Sequence, residues 1–127
     1  MRHIQTLGIV RDATQMPITL YGFPVSQPTR SVLILLSAGN IQYEYVNIDI
    51  RTGEQKQEAY LKINPNGQVP ALKHDDFVLT EGAAILQYLA ENVNDVSGWY
   101  PKDPHTRART NQWLHWAHTT FQFHLFL

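Results

Sequence analysis

The rhythm of apolar and polar positions changes several times along the chain, and each change marks an element. "ITLYGF" (18–23) is β-branched and aromatic and is stopped by Gly22 and Pro24, which predicts a short strand. Ser26 then stands just ahead of Pro28, a combination typical of a helix entry. The spacing in "TRSVLILLSAG" continues that helix, with Leu33, Ile34 and Leu36 expected inward and Gly39-Asn40 as its stop. In "IQYEYVNIDI" (41–50), Ile41, Tyr43 and Tyr45 alternate with Gln42, Glu44 and Val46, which predicts a second strand with one wetter face. "TGEQKQEAYLKI" is charged and reads as a poorly buried helix or irregular turn, and "NPNG" as a turn cluster. "QVPALKH" and "FVLT" flank Asp75-Asp76 and predict a third and fourth strand joined as a hairpin. "EGAAILQYLAENV" carries Ile85, Leu86 and Leu89 at helical spacing.

Strand, helix, strand, poor helix, strand, strand, helix is the order of an α/β fold. It resembles the thioredoxin-like layout, a mixed four-stranded sheet flanked by helices. "DVSGWYPKDPHTRA" is rich in Gly, Pro and Asp, and after it a new helix begins an all-α region. The expected organisation is an extension at 1–16, a thioredoxin-like domain at 17–94, a linker at 95–105 and a first helix at 106–127. The later half of that helix is apolar on nearly every side, with Trp113, Leu114, Trp116, Phe121, Phe123, Leu125 and Phe126. Such a helix requires burial by something. The expectation is that the chain is cut short or that a partner subunit covers it.

Composition narrows the chemistry. The 127 residues suffice for one domain and the start of a second, and 43% hydrophobic with 17% charged residues is ordinary for a globular protein. A net charge of −1 and the lack of any Lys/Arg cluster give no footprint for nucleic acid or an anionic membrane. The longest apolar run, "VLILL", is far too short to span a bilayer. With no cysteine, a disulfide framework, a thiolate metal site, a dithiol redox pair and a cysteine nucleophile are all excluded. Residues 1–16 have no apolar core for a signal peptide, and Asp12 and the missing serines argue against a mitochondrial presequence.

"NPNGQVPAL" (64–72) followed by "LTEGAAILQYLAE" (79–91) resembles the glutathione-binding half of cytosolic glutathione transferases. "SQPTR" (26–30), "WYPKD" (99–103) and "RARTNQWLHWAHTT" (107–120) look most like the theta class and its bacterial and insect relatives. The similarity covers residues 18–127 in five segments in the right order. It implies a cytoplasmic, dimeric enzyme that uses glutathione as co-substrate against electrophilic carbons or peroxides, without a metal. The electrophile pocket in this family is built mostly by the second domain, so the resemblance implies that most of it is missing here.

The resemblance also implies roles for individual residues. Pro70 is expected to be cis, turning the backbone of Val69 outward to pair strand-fashion with the cysteinyl part of the tripeptide. Read without its neighbours, Pro70 merely edges a strand. Glu81 would take the ammonium of the γ-glutamyl end, where the fourth strand enters a helix at Ala83; alone, it is a first-turn acid complementing the helix dipole. The family pattern has Ser at position 82, so Gly82 loses one hydroxyl bond and keeps its N–H. Gln68 would reach the glycine carboxylate or the cysteinyl carbonyl, and Gln55, standing where theta-like relatives often carry His, the glycine end; each is otherwise an ordinary loop residue. Asn111 stands where theta relatives carry an Asp that crosses the dimer interface.

Ser26 is the expected catalytic hydroxyl, stabilising the glutathione thiolate together with the start of its helix; its plain alternative is an N-cap. Arg30, one turn on, would add positive potential, or is simply solvated. Tyr21 is the rival hydroxyl, but the extra Gly22 shifts the register by one and should turn the phenol away. His115 and His118 are three apart, a spacing open to a metal pair, yet no acid or third ligand joins them, so structural or solvent roles are expected. The competing function is a non-catalytic transferase-like module in a protein assembly, favoured by Gly82, Gln55 and Asn111 and opposed by "SQPTR".

Overall fold

The computed structural model describes residues 17–93, 96 and 98–121. The expected extension at 1–16, parts of the expected linker, and Phe123, Leu125 and Phe126 lie outside those residues. Strand β1 (Ile18–Gly22) leads into helix α1 (Gln27–Ala38), which crosses to β2 (Glu44–Asn47). A 3₁₀ turn (Glu54–Lys56) and the one-turn α2 (Glu58–Leu61) follow, then the hairpin β3 (Ala71–His74) and β4 (Phe77–Thr80). Helix α3 (Gly82–Asn92) closes this part, and α4 (Pro104–Trp116) runs on into a π-helical turn (Ala117–Phe121).

The strand order is β2-β1-β3-β4, with β1 parallel to β2 and antiparallel to β3. This is the mixed four-stranded sheet the alternation predicts. Because side chains alternate across a strand, β1 serves two cores. Ile18 and Leu20 join Leu72 and the buried stripes of α1 (Val32, Leu36) and α3 (Ile85, Leu89). Tyr21 points to the other face, where Ala71, Ile48 and Tyr60 of α2 form a smaller cluster.

Two expectations change. Ile34 is 68% exposed and not inward. The buried positions of α1 are Thr29, Val32 and Leu36, a stripe at i, i+3, i+7 that leaves position 34 on the far side of the helix, while Leu33 packs at its edge. The second strand spans only Glu44–Asn47 of the expected 41–50; Ile41 and Ile48 are buried just outside it. Trp113, Trp116 and Phe121 remain exposed on and after α4, with Trp116 stacked on Phe121. Among the described residues, no helix is long and apolar enough to cross a membrane.

Candidate functional site

Gly22 fixes where α1 begins. A Cβ at Gly22 would lie 2.4 Å from Thr29 Cγ2, so only a bare backbone lets the first turn of α1 settle against the end of β1. Thr29 is fully buried there, and the Phe23 N–H donates to its Oγ1 at 3.4 Å. Ser26 is the N-cap of α1, its N–H donating to Phe23 O at 2.9 Å. The Thr29 N–H donates to Ser26 Oγ at 3.5 Å, a long bond in which the hydroxyl only accepts and keeps its own proton to give.

A second helix starts beside the first. Position 82 opens α3, and a Cβ on Gly82 would sit 2.9 Å from Pro28 Cβ. The N-termini of α1 and α3 therefore meet, and their free N–H groups and partial positive charge face one space. Glu81, the N-cap of α3, holds φ +71 and ψ 114, a backbone region that side-chain-bearing residues rarely adopt. Its carbonyl accepts from the Ile85 N–H at 2.9 Å, which ties that backbone to the helix.

The third wall is the segment before β3. The Val69–Pro70 bond is cis, and Val69 precedes the ladder, whose register begins with Ala71 opposite Tyr21 and Thr80. The carbonyl just upstream, that of Gln68, accepts two bonds from below, from Tyr60 Oη at 2.6 Å and Asn64 Nδ2 at 2.8 Å. Asn64 is almost fully buried, and its Oδ1 also accepts from the Asn66 N–H at 3.0 Å, so one side chain builds the "NPNG" turn and supports the loop. Burial pushes the Tyr60 phenol up to about 12, which keeps it a donor at any ordinary pH. Gly67, at φ +60, lies so close to Gln55 O that a Cβ would approach it to 2.8 Å.

Between these walls lies a groove of about 350 Å³. Ser26, Gln55, Gln68, Val69, Pro70, Glu81 and Gly82 all line it. Gln55 donates to Ile50 O at 3.4 Å, while its Oε1 is buried without a partner. Arg30 is exposed and outside the lining, and Tyr21 belongs to a separate hollow with Glu44 and Lys73. Tyr21 packs on Tyr60 with ring centroids 6.3 Å apart, and burial, assisted by nearby Glu44, raises its phenol above the usual range. Sequence reasoning did not place Asn64, Ile50, Pro28 or His118 at the groove, yet all four line it. His118 Nε2 lies 3.8 Å from Glu81 Oε2, at the rim of the groove. Asn111 is engaged within the chain: its Oδ1 accepts from Gln87 Nε2 at 2.8 Å, which docks α4 on α3, and from Tyr100 Oη of the connecting segment at 2.6 Å.

The groove suits an extended, mostly polar ligand with anionic ends. Its size falls within the range usual for small-molecule sites, it offers backbone donors at two helix starts, and Glu81 is its acid. The family model of the glutathione S-transferase N-terminal domain matches residues 16–91. Human glutathione S-transferase theta-1 is 40% identical over 107 residues, 84% of this chain and 45% of that protein. The rat theta-1 protein is 38% identical over the same shares of the two chains. Human glutathione transferase theta-2, solved in complex with glutathione and an unknown ligand, superposes with a TM-score of 0.74 at 39% identity, over 79% of this chain and 41% of its own. A glutathione transferase homolog from Drosophila mojavensis, with bound glutathione, gives a TM-score of 0.80 at 31% identity, over 83% and 48%. The chain thus spans less than half the length of these relatives. With its thioredoxin-like sheet and the start of a helical domain, the chain belongs to the glutathione S-transferase family, on its theta-like side.

Proposed function

We propose that this chain binds glutathione in the groove and favours its thiolate, as the first half of a theta-like glutathione transferase acting on electrophiles. What carries the reading is the convergence of Ser26, Gln55, Gln68, Val69, Pro70, Glu81 and Gly82 on one groove at two helix N-termini. Val69 pairs its free backbone with the cysteinyl residue of the tripeptide. Glu81 accepts from the γ-glutamyl ammonium, and the Gly82 N–H donates to the neighbouring carboxylate. Gln55 and Gln68 hold the glycine end; the orphaned Gln55 Oε1 supports this, since a buried polar atom seeks a partner.

Ser26 acts on the sulfur. The thiol proton leaves to solvent, and the Ser26 hydroxyl donates its hydrogen to the remaining anion while the α1 N-terminus adds positive potential. The sulfur lone pair then forms a bond to an electrophilic carbon, whose leaving group departs with its electron pair. Arg30, outside the lining, contributes only through the field. A homodimer, a cytoplasmic location and a helical domain beginning near residue 106 complete the proposal, on the strength of the family.

The test combines binding with titration of the bound thiol. The chain is expected to be retained on immobilised glutathione, and Ser26→Ala to be retained as well. A hydrogen bond to a charged group is worth about 1.5–3 kcal/mol. At about 1.4 kcal/mol per unit, Ser26→Ala should therefore raise the thiol pKa of bound glutathione by about one to two units, read by ultraviolet absorbance of the thiolate. Retention with an unchanged titration would remove Ser26 from the mechanism. No retention of the wild-type chain would favour the non-catalytic assembly module.

A further inference from the structure

Among the described residues the groove has one ionisable lining residue besides Glu81, and it comes from a distant part of the chain. Helix α4 is pinned to α3 by the Asn111 bonds and by an ion pair between Arg107 and Glu91 at 2.6 Å. Seven residues after Asn111, two turns on and so roughly on the same face, stands His118. It lies in the π-helical turn Ala117–Phe121, a local widening of the kind often found at functional sites. Its side chain is two-thirds covered, with 32% of its surface exposed. Glu81 is the one ionisable group facing it among the lining residues; His115, one turn back on its own helix, is exposed.

The ring occupies a particular place. Gly82 is bare because Pro28 crowds it, and His118 Cε1 is 3.6 Å from the point where a side chain at 82 would begin. At 3.8 Å from Glu81 Oε2, His118 Nε2 is near the carboxylate but beyond hydrogen-bond distance, so both groups keep their polar atoms for a ligand. The γ-glutamyl end of glutathione carries an ammonium and a carboxylate on one carbon, and the ammonium goes to Glu81. A donor for the carboxylate is then needed within a few ångström of Glu81, on the side of position 82.

We infer that His118 is that donor: Nε2–H binds the α-carboxylate of the γ-glutamyl group, supplying from the turn after α4 the side-chain hydrogen bond that Gly82 lacks. This inference rests on the glutathione-binding reading above. It makes the π-helical turn that continues α4 part of the binding site and gives the attachment of α4 through Asn111 a role in affinity.

A ligand-by-mutant cycle tests it. Calorimetric affinities of the wild-type chain, His118→Ala and His118→Gln are measured for glutathione and for γ-aminobutyryl-cysteinyl-glycine, which lacks only the α-carboxylate. His118→Ala is expected to weaken glutathione about tenfold or more and the decarboxylated analogue less than about twofold. His118→Gln, which keeps a side-chain N–H, should recover most of the loss. Equal weakening toward both ligands would overturn the inference in favour of packing, as would unchanged affinity for glutathione. If the wild-type chain binds neither ligand, the glutathione reading itself fails and this inference falls with it.

Discussion

Replacing Glu81 by glycine should make the protein more stable and a poorer binder at once. At φ +71 and ψ 114, a residue with a side chain is held in a conformation that costs about 1–3 kcal/mol. Glycine adopts it freely but brings about 0.4–1 kcal/mol of extra freedom to the unfolded chain. The Glu81 side chain is 60% exposed, and its approach to His118 at 3.8 Å contributes about 0–1 kcal/mol. The balance favours Glu81→Gly by about 1 kcal/mol, a rise in melting temperature of about 4 °C in thermal unfolding. Glu81→Ala retains a Cβ and the strain, so it should show no such rise. Both variants lose the carboxylate, worth about 1.5–3 kcal/mol against an ammonium, so both should bind glutathione about 10- to 100-fold more weakly by calorimetry. If Glu81→Gly melts no higher than Glu81→Ala, position 81 stores no strain. If either variant binds as the wild type does, Glu81 does not hold the ligand.

Three further outcomes follow from the same geometry. Gly22→Ala should lower stability by about 1–3 kcal/mol in urea unfolding, because its Cβ would collide with buried Thr29 and push α1 off the sheet. Tyr60→Phe removes one of the two donors to Gln68 O and should cost about 1 kcal/mol of stability, with glutathione affinity falling several-fold as the loop before Pro70 loosens. Asp103 caps α4, and the Thr106 N–H, with its hydroxyl, holds the carboxyl below the usual aspartate value of 3.8. The sign is that of a depressed acid. Its contribution is fully present above 3.8 and disappears as pH falls through the lowered folded value, so acid titration of Asp103→Asn should lack this component of acid destabilisation.

The sheet was readable because its strands are short, β-branched and bounded by Gly, Pro or Asp pairs, signals that act locally. The phase of α1 was not, since "VLILL" offers apolar residues on every side. Thr29, a polar residue buried by the close approach at Gly22, helps set the stripe. The groove residues from Gln68 to Gly82 follow closely on one another in sequence, and two adjacent motifs name them together. His118 lies in a segment that pointed to the family but not to the groove: it meets Glu81 only because α4 folds back along α3, a docking that uses Asn111 and Gln87. Its one legible signal was a heptad step from Asn111, which places both on one helix face.

Ser26 caps α1, and the cap leaves room for the proposed thiolate-stabilising role. A cap uses the oxygen's lone pair, while thiolate stabilisation uses its hydrogen, so one side chain can do both. The bond from Thr29 N is long at 3.5 Å, which leaves the oxygen loosely held and free to rotate its proton toward the groove. Capping also fixes where α1 starts, and so brings the positive end of its dipole to the groove. An alanine at 26 would therefore lose a modest cap, about 0.5–2 kcal/mol, and the donor together. A threonine would keep both chemically and crowd the groove with a methyl group. Under the proposed function the demand on position 26 is narrower than capping alone: capping tolerates Asp, but an ionised Asp cannot donate a hydrogen to an anion and repels it, whereas a neutral hydroxyl can cap and donate.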